Sequence, residues 1–406
     1  MQYNFDEIID REGTNSVSYE GWKSYMFGSG NELSFPERAD GYIRMWVADM
    51  DFATPPEILD AIRARLDRQI MGYTLIFDPT YMETLQQWFR KRYLWEINTS
   101  HMVTAPGVVP ALNRLAGLLT KSGTNILINT PSYAPFKQAG DLNQRTVYYS
   151  ALKQVDGRYE LDFDDIIQQL EDPDKNIGVY IFCNPHNPTG RVWTQAELQK
   201  IGDICISRNI WLISDEIHCD LLRAGIQHIP LARLFPQSNR IITCTAPSKT
   251  FNLAGNLLSH IFIPDDAVRK QWMTHHFDLL SPLSIAAAQA AYAHGEAWLE
   301  QLKAYLDGNF ALLEAHLQQH LPESRFSIPE ATYLAWIDIS HYTASMPTNE
   351  LSAFFAREAG VLLEGGNMFV DNGTGYIRLN LACPRSVLQE GLLRITDCLR
   401  HKMKPL

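Results

Sequence analysis

The sequence predicts an α/β fold, in which a large domain with a mostly parallel β-sheet is joined by a smaller α+β domain. Three short, apolar, β-branched-rich runs lead to this prediction, at residues 177–183, 210–213 and 240–244. Turn residues bound each run, as is typical of buried parallel strands. Between the first two runs, Thr194 and Glu197 have the spacing of a capping box, and apolar residues follow at helical intervals. We therefore expect a strand–helix–strand crossover in a parallel sheet.

The remaining elements follow in chain order. Alternating strand and helix signals run from about residue 53 to residue 282, with short strands at 102–104 and 125–129. The C-terminal part instead mixes strands at 332–339 and 375–381 with long amphipathic helical patterns near 285–321. A large domain at 53–285 and a different, mixed arrangement after it are therefore expected.

Composition indicates a globular protein and argues against several classes of partner. With 406 residues, 46% hydrophobic and 20% charged, the chain is long enough for two domains. A net charge of -11 opposes binding to nucleic acid or to an anionic membrane. No apolar run reaches the roughly 20 residues that span a bilayer, and the first residues lack a secretory signal pattern. We expect a cytoplasmic protein.

Metal binding is not indicated. The 6 cysteines are scattered without a Cys-x-x-Cys pair, so neither a disulfide framework nor a zinc site is expected. The adjacent His275 and His276 lack further metal-ligand residues nearby and are expected at the surface.

Polar segments follow the three strands of the first prediction. They are residues 184–190 (NPHNPTG), 214–218 (SDEIH) and 245–251 (TAPSKTF). Because the carboxyl ends of strands in such a sheet form the ligand crevice, Asn187, Asp215 and Lys249 should converge there. Pyridoxal phosphate needs a lysine to hold its aldehyde as a Schiff base and an anion to keep its ring nitrogen protonated. The trio therefore predicts this cofactor.

Each of these residues has a role in that prediction and an ordinary alternative. Lys249 is the expected Schiff-base lysine and catalytic residue, and Asp215 the partner of the ring nitrogen, although most lysines are solvated and many such aspartates cap helices. Asn187 and His218 are positioned to contact the ring's phenolic oxygen. For His218, an ordinary core histidine remains an equal alternative.

The cofactor's phosphate should lie at a helix start. Residues 107–112 (GVVPAL) follow a predicted strand, and a glycine with a nearby proline favours exposed amides aimed at an anion. Val108 and Val109 would bind through their backbone. The alternative is a glycine turn before an ordinary helix.

Further motifs are spread over nearly the whole chain. They are residues 11–15 (REGTN), 47–52 (VADMDF), 72–74 (GYT), 130–136 (TPSYAPF) and 376–386 (YIRLNLACPRS). Together with the segments above, their order and spacing resemble the fold-type I pyridoxal phosphate enzymes of the class I/II aminotransferase superfamily. The SDEIH segment resembles the MalY/PatB group of cystathionine β-lyases, because aminotransferases usually have tyrosine where this chain has His218.

The resemblance implies an assembly and further site residues. The N-terminal segment would pack with the C-terminal part, giving a small domain of residues 1–52 and 286–406. Tyr73 resembles a tyrosine that crosses a dimer interface to the neighbouring phosphate, which implies a homodimer with shared active sites. Tyr133 is expected to stack on the cofactor ring, with a rim aromatic as the alternative. Arg378 is expected to bind the carboxylate of an amino-acid substrate through two parallel hydrogen bonds, with a structural salt bridge as the alternative.

The phosphate site departs from the wider pattern. Ala246 and Leu257 stand where many aminotransferases have a serine and an arginine that hold phosphate. Ser248 and Thr250, with Tyr73, are the expected replacements. The resemblance to the β-lyase group implies cleavage of cystathionine or a related cysteine thioether to pyruvate, ammonia and a thiol, with an aminotransferase as the near alternative and a regulatory protein on the same fold as the distant one.

Overall fold

The computed structural model describes residues 2–28, 33–75, 78–120, 123–274 and 279–402. His275 and His276, which the sequence places at the surface, lie outside these residues. The described α-helices are α1 (Trp22–Phe27), α2 (Pro56–Leu66), α3 (Pro79–Tyr93), α4 (Val108–Leu119), α5 (Ala134–Asp141), α6 (Phe163–Glu171), α7 (Gln195–Ser207), α8 (Leu231–Leu234), α9 (Pro247–Thr250), α10 (Asp266–Thr274), α11 (Pro282–His294), α12 (Glu296–His320), α13 (Ser340–Thr343), α14 (Leu351–Phe354) and α15 (Arg385–Lys402).

The strands form one large sheet and several small ones. They are β1 (Ile43–Arg44), β2 (Met102–Ala105), β3 (Asn125–Thr130), β4 (Ser132–Tyr133), β5 (Val147–Ala151), β6 (Lys153–Val155), β7 (Arg158–Glu160), β8 (Ile177–Cys183), β9 (Trp211–Asp215), β10 (Ile241–Thr245), β11 (Ser259–Phe262), β12 (Leu334–Asp338), β13 (Val361–Leu362), β14 (Glu364–Gly365), β15 (Phe369–Val370) and β16 (Tyr376–Asn380). Short 3₁₀ turns and a π-helical turn at Phe355–Ala359 connect some of them.

The central sheet has seven strands in the order β2-β11-β10-β9-β8-β3-β5. Pairing is parallel between β10, β9, β8, β3 and β5, and antiparallel only where β11 meets its two neighbours. The predicted α/β class with a mostly parallel sheet is therefore confirmed. The predicted crossover is also present, because α7 links β8 to β9 and starts at a capping box made by Thr194 and Glu197.

Register in the central sheet sets the position of the polar segments. Asp215 is the last residue of β9 and lies opposite Cys183 of β8 on one side and Cys244 of β10 on the other. The segments that follow these three parallel strands therefore leave the sheet at the same edge, one beside another.

Helices cover the sheet through apolar faces. In α4, for example, Leu112 and Leu115 are completely buried and pack with Ile128, Ile181 and other sheet residues. Burial of a leucine side chain contributes about 1.5–3 kcal/mol, so contacts of this kind hold the start of α4 in a fixed place.

A three-stranded antiparallel sheet, β12-β16-β14, lies in the C-terminal part. The helical pattern predicted near 285–321 is divided into α11 and α12, which meet at Gly295. A Cβ atom at this position would collide with the ring of Phe251 and the carbonyl oxygen of Ala291. Close packing at Gly295 therefore accounts for the glycine where the two helices join. Within the described residues, no helix has the length and apolar character needed to cross a membrane.

Candidate active site

A cavity of about 200 Å³ opens at the carboxyl ends of the parallel strands. It brings together nine of the eleven residues that the sequence predicts for the site, and Tyr73 and Thr250 are the exceptions. The predicted residues that line it are Val108, Val109, Tyr133, Asn187, Asp215, His218, Ser248, Lys249 and Arg378. The polar segments of β8, β9 and β10 thus converge, as the parallel topology requires.

Lys249 lies in the short helix α9, which follows β10 after a one-residue link. Its Nζ donates a hydrogen bond of 2.7 Å to the carbonyl oxygen of Ala48. Burial lowers the pKa of Lys249 to about 8, with Asp49 opposing the shift and Arg378 adding to it. A lysine held in this way presents a neutral, nucleophilic amine at a lower pH than an exposed lysine does.

The loop of residues 47–52, which supplies the Ala48 carbonyl, is held from several parts of the chain. Asn380 Nδ2 donates to two of its carbonyl oxygens at 2.7 and 2.6 Å. Asn252 Nδ2 donates to another at 2.9 Å, and the Tyr333 hydroxyl donates to Ala48 itself at 3.0 Å. Arg11 forms ion pairs of 2.6 and 2.8 Å with two aspartates of the loop. The partner of Lys249 is therefore fixed in position.

Asp215 is a buried carboxylate without an ion-pair partner among the described residues. The backbone N–H of Ile217 donates to its Oδ1 at 3.1 Å, but no ion-pair partner lies within 4 Å among the residues that the structure describes. Burial raises the pKa of Asp215 to about 7, and the Ile217 hydrogen bond opposes this shift. A protonated ring nitrogen at this carboxylate would restore the ionised form.

His218 and Asn187 both line the cavity, but they differ in their hydrogen bonding. His218 is buried, its Nδ1 has no hydrogen-bond partner among the described residues, and burial lowers its pKa to about 3. The imidazole is therefore neutral and retains an unused polar atom. Asn187 is already engaged, because its Oδ1 accepts a hydrogen bond of 3.1 Å from Arg378 Nη1.

The start of α4 forms another wall of the cavity. Gly107 precedes the helix, and the first turn contains no acidic residue. Because the first amides of a helix have no acceptor within it, those of Val108 and Val109 suit an anion. Ser248 also lines this cavity, whereas Thr250 is buried elsewhere and donates to Asp220 Oδ2 at 2.9 Å. The expectation for Thr250 is therefore not supported by its position, because its hydroxyl is used in that bond.

Arg378 is almost fully buried in β16, and its guanidinium is surrounded by acceptors. Its Nη2 donates to the carbonyl oxygen of Trp46 at 3.2 Å and forms an ion pair with Glu364. Its Nε has no hydrogen-bond partner in the described residues. Burial raises the pKa of Glu364, while Arg378 and Lys249 oppose that shift. Both interpretations of Arg378 thus have support. It forms a salt bridge, and it also lines the cavity where a substrate carboxylate could bind.

Two tyrosines, Tyr133 and Tyr25, line the cavity and come from distant segments of the chain. Tyr133 forms β4 with Ser132 and pairs with Phe369 of β15, which fixes the start of its side chain. Tyr25 comes from α1, and its ring centroid lies 5.1 Å from that of Trp46. Burial raises the pKa of both hydroxyls, so both remain protonated near neutral pH.

Tyr73 does not reach the cavity of its own chain. Its side chain is 95% exposed, and neighbouring apolar residues are exposed with it. These neighbours are Leu66, Ile70, Met71 and Leu75.

The cavity fits pyridoxal phosphate on structural grounds. Among the described residues, Asp215 has no cationic partner within ion-pair distance and His218 Nδ1 has no hydrogen-bond partner, while Lys249 offers an amine in the same cavity. Each of these three side chains matches one group of the cofactor. Asp215 matches the ring nitrogen, His218 the phenolic oxygen and Lys249 the aldehyde.

Three groups of the cavity, a carbonyl, a carboxylate and a hydroxyl, lie outside the residues that the sequence predicts. Ala48 belongs to the VADMDF motif, which was recognised without a role for its backbone carbonyl. Glu364 reaches the cavity only because β14 pairs with β16, and Tyr25 only because α1 packs against Trp46. Contacts between distant segments leave no local pattern in the sequence. Of the three groups, only Ala48 lies in a recognisable motif that could have pointed to the site.

Comparison with known proteins gives consistent matches over nearly the whole chain. The family model described as aminotransferase class I and II matches residues 41–395. Cystathionine beta-lyase PatB of Bacillus subtilis is 36% identical over 401 residues, covering 98% of this chain and 100% of that protein.

Two solved structures extend the similarity to three dimensions. A PLP-bound C-S lyase from Staphylococcus hominis, complexed with the inhibitor L-cycloserine, is 47% identical with a TM-score of 0.94, and the match covers 98% of each chain. Cystalysin from Treponema denticola, whose structure contains pyridoxal 5'-phosphate, is 33% identical with a TM-score of 0.90 over 99% of this chain and 100% of that chain.

Proposed function

The chain belongs to the aminotransferase class I and II family, and from that membership we propose that it is a pyridoxal-phosphate-dependent carbon–sulfur β-lyase. Its substrates are cystathionine or related cysteine thioethers, and its products are pyruvate, ammonia and a thiol. The resemblance seen in the sequence to fold-type I enzymes and to the PatB group is confirmed.

One observation carries the proposal. Lys249, Asp215 and Arg378 line a single cavity in a chain that is 47% identical to a PLP-bound C-S lyase over 98% of its length. A lysine amine, an anion for the ring nitrogen and a guanidinium for a carboxylate are the groups that amino-acid chemistry on this cofactor requires.

Lys249 and Asp215 perform the proton chemistry in this proposal. When bound, pyridoxal phosphate supplies the aldehyde that captures the amino group and the ring that accepts the electrons of the broken bond. Lys249 Nζ would hold the cofactor through its aldehyde, and the same amine, when free, would remove the proton from the substrate α-carbon. Its lowered pKa, about 8, favours the neutral amine needed for that step. Asp215 holds the proton on the ring nitrogen, and the proton on Nζ is then available to the departing sulfur.

Arg378 orients the substrate. Its planar guanidinium binds the α-carboxylate, while Asn187 and the Trp46 carbonyl hold the guanidinium at 3.1 and 3.2 Å. The α-carbon is thereby held near Lys249, which lines the same cavity. Proximity of this kind supplies a substantial part of the catalytic effect.

The other predicted residues complete the cofactor site in the proposal. The amides of Val108 and Val109 and the Ser248 hydroxyl hold the phosphate. Tyr133 stacks on the ring, and Asn187 and His218 donate to its phenolic oxygen. The neutral His218, with one unpartnered nitrogen, supports its part.

Aminotransferase activity on dicarboxylic substrates is the alternative, and it needs a second cation for the second carboxylate. Arg44 and Arg385 are two candidates for that role, and neither lines the cavity. Arg44 lies over the ring of Tyr19 at 3.7 Å, and Arg385 lies over the ring of Tyr305 at 4.7 Å. These positions leave an anionic side chain, such as that of aspartate, without a cation from either arginine. The distal carboxylate of cystathionine is instead accompanied by its own ammonium, which favours the lyase over this alternative.

We also propose a homodimer in which Tyr73 serves the phosphate of the partner's site. Tyr73 is 95% exposed, and Ile70, Met71 and Leu75 expose 71%, 53% and 69%. Contiguous apolar exposure of this kind is typical of a surface that binds another protein. A second copy of the chain would cover it.

We propose a large domain at residues 53–285 and a small domain made of residues 1–52 and 286–406. A large domain at 53–285 is supported by the central sheet, whose strands all lie between Met102 and Phe262. A small domain of residues 1–52 and 286–406 is supported by the pairing of β1 with β13. We propose the cytoplasm as the place of action.

Product analysis tests the function. The purified protein is mixed with pyridoxal phosphate and L-cystathionine, with and without a keto acid, and pyruvate, ammonia and thiol are measured. Release of all three without the keto acid is the expected result. Rapid exchange of amino groups with a keto acid, without any pyruvate from thioethers, would establish the aminotransferase instead.

A further inference from the structure

A carboxylate stands beside the substrate-binding guanidinium. Glu364 and Arg378 are directly opposite in the antiparallel pair β14–β16. Opposite residues in such a pair point to the same face of the sheet, which brings both side chains to the cavity. The ion pair between them is therefore built into the strand register and does not depend on two flexible surface side chains.

The pair leaves the cavity with little positive charge for a substrate. Among the described residues that line it, the cationic side chains are Lys249 and Arg378, and the acidic ones are Asp215 and Glu364. In the proposed function Lys249 attaches the cofactor and Asp215 faces the ring nitrogen. One guanidinium, already contacted by Glu364, then remains for the substrate's α-carboxylate.

A substrate side chain with a net negative charge would have no cation of its own among the described residues that line the cavity. The distal carboxylate of cystathionine differs, because an ammonium on the same carbon accompanies it. A side chain with a net negative charge would also approach Glu364, which is buried and forms an ion pair with Arg378. Like charges that are brought together away from water repel strongly, because little solvent screens them. A neutral or positively charged side chain meets no such repulsion.

We propose that Glu364 is a specificity-determining residue, which makes the cavity reject amino acids whose side chain has a net negative charge. Thioethers whose distal group is neutral, zwitterionic as in cystathionine, or cationic are accepted. This inference rests on the proposed function, since it assumes that the α-carboxylate binds at Arg378. Substrates with an S-alkyl or S-aminoalkyl group are the preferred class, and S-carboxyalkyl cysteines are the disfavoured one.

Binding of a matched ligand pair provides the first test. L-glutamine and L-glutamate have nearly the same shape but differ by one charge, and neither carries a sulfur leaving group. Their dissociation constants are measured by calorimetry on the cofactor-loaded protein. The wild type should bind glutamine at least about tenfold more tightly than glutamate, and equal affinities would overturn the inference whatever the variants do.

Glu364→Gln isolates the charge. The amide keeps the size of the side chain and an oxygen that can accept from Arg378, but it removes the negative charge. Both ligands should bind more tightly, and the preference for glutamine should fall at least about fivefold. Glu390→Gln, on the half-exposed α15 side chain that pairs with Arg394, is the control and should keep the wild-type preference. A preference that is unchanged in Glu364→Gln would contradict the assignment.

Turnover provides the second test, with three cysteine thioethers that differ in distal charge. They are S-(2-aminoethyl)-, S-ethyl- and S-carboxymethyl-L-cysteine, and pyruvate release gives kcat/KM for each. The carboxymethyl compound should be the poorest substrate by at least about tenfold, and Glu364→Gln should reduce that gap. Equal kcat/KM values would refute the role of Glu364. If none of the three released pyruvate, the lyase proposal would fail, and the two binding ratios would still decide the role of Glu364.

Discussion

Lys249 Nζ donates a 2.7 Å hydrogen bond to the carbonyl oxygen of Ala48, a residue 201 positions earlier in the chain. The carbonyl can accept from the amine in either protonation state, so it positions Nζ without fixing its charge. Burial is the main reason that the pKa of this lysine falls to about 8. The site thus holds a reactive amine in a fixed place before the cofactor arrives.

Replacement of Lys249 by alanine should abolish covalent attachment of pyridoxal phosphate. Among the described residues that line the cavity, no other lysine is present. Reduction with borohydride followed by mass analysis should show no cofactor adduct at this position, and turnover should be lost. Lys270→Ala, on the exposed part of α10, is the control and should retain both. An adduct and visible absorption like those of the wild type in the Lys249 variant would refute the assignment.

Attachment of the cofactor to the cofactor-free protein should accelerate as the pH rises through about 8. Below its pKa of about 8, Lys249 is mainly an ammonium without a free electron pair, and above it the neutral amine predominates. The rate of appearance of the visible absorption should therefore level off above about pH 9. A rate that keeps rising to about pH 10.4, where an ordinary lysine titrates, would show that burial does not activate this amine.

Asp215→Asn should reduce kcat by about 100-fold or more, with a smaller effect on substrate binding. The amide has the shape of the carboxylate but cannot hold the ring-nitrogen proton by charge. Steady-state kinetics on cystathionine measure the effect. Asp203→Asn, on the surface of α7, removes a carboxylate elsewhere and should leave kcat unchanged. Near-normal turnover in the Asp215 variant would count against the proposed role of the anion.

Arg378→Lys should weaken amino-acid binding by about 2 kcal/mol, or roughly 30-fold. An ammonium keeps the charge but cannot offer the two parallel hydrogen bonds of a guanidinium. The dissociation constant of L-glutamine for the cofactor-loaded protein is the measurement. Arg325→Lys, at a side chain that is 78% exposed, is the matched control. Unchanged affinity in the Arg378 variant would leave this residue with the salt bridge alone.

Subunits that are inactive alone should restore activity when mixed, if Tyr73 serves the partner's site. A hybrid of Tyr73→Phe and Lys249→Ala subunits would contain one site with both native side chains. Recovery of part of the wild-type activity after subunit exchange is expected. Proven exchange without recovery, from two inactive parents, would show that each chain supplies its own complete site.

The fold and the polar half of the site could be predicted because their signals are local. A β-branched run followed by a polar segment predicts a strand and its ligand-facing end, which located Asn187, Asp215 and Lys249. The observed strands differ from the predicted ones mainly at their ends, because β9 continues to Asp215 and β10 to Thr245. Polar side chains at these ends interrupt the hydrophobic pattern from which the strands were predicted.

The remaining part of the site depends on tertiary pairing. Glu364 lies opposite Arg378 only because β14 and β16 are adjacent, and the Glu364 region itself has no distinctive period. The same holds for Thr250, whose place in the TAPSKTF segment suggested a phosphate contact. Its hydroxyl instead donates to Asp220, a residue 30 positions away that no motif links to it.

The loop of residues 47–52 has a consequence for the order in which this enzyme matures. Its anchors are Arg11 near the start of the chain, Asn252 in the middle, and Tyr333 and Asn380 toward the end. During synthesis, Asn380 leaves the ribosome long after Lys249, so the lysine does not acquire its finished surroundings until the last part of the chain has docked. Loading of the cofactor should accordingly be a late event that follows completion of the polypeptide and marks chains that have folded from end to end.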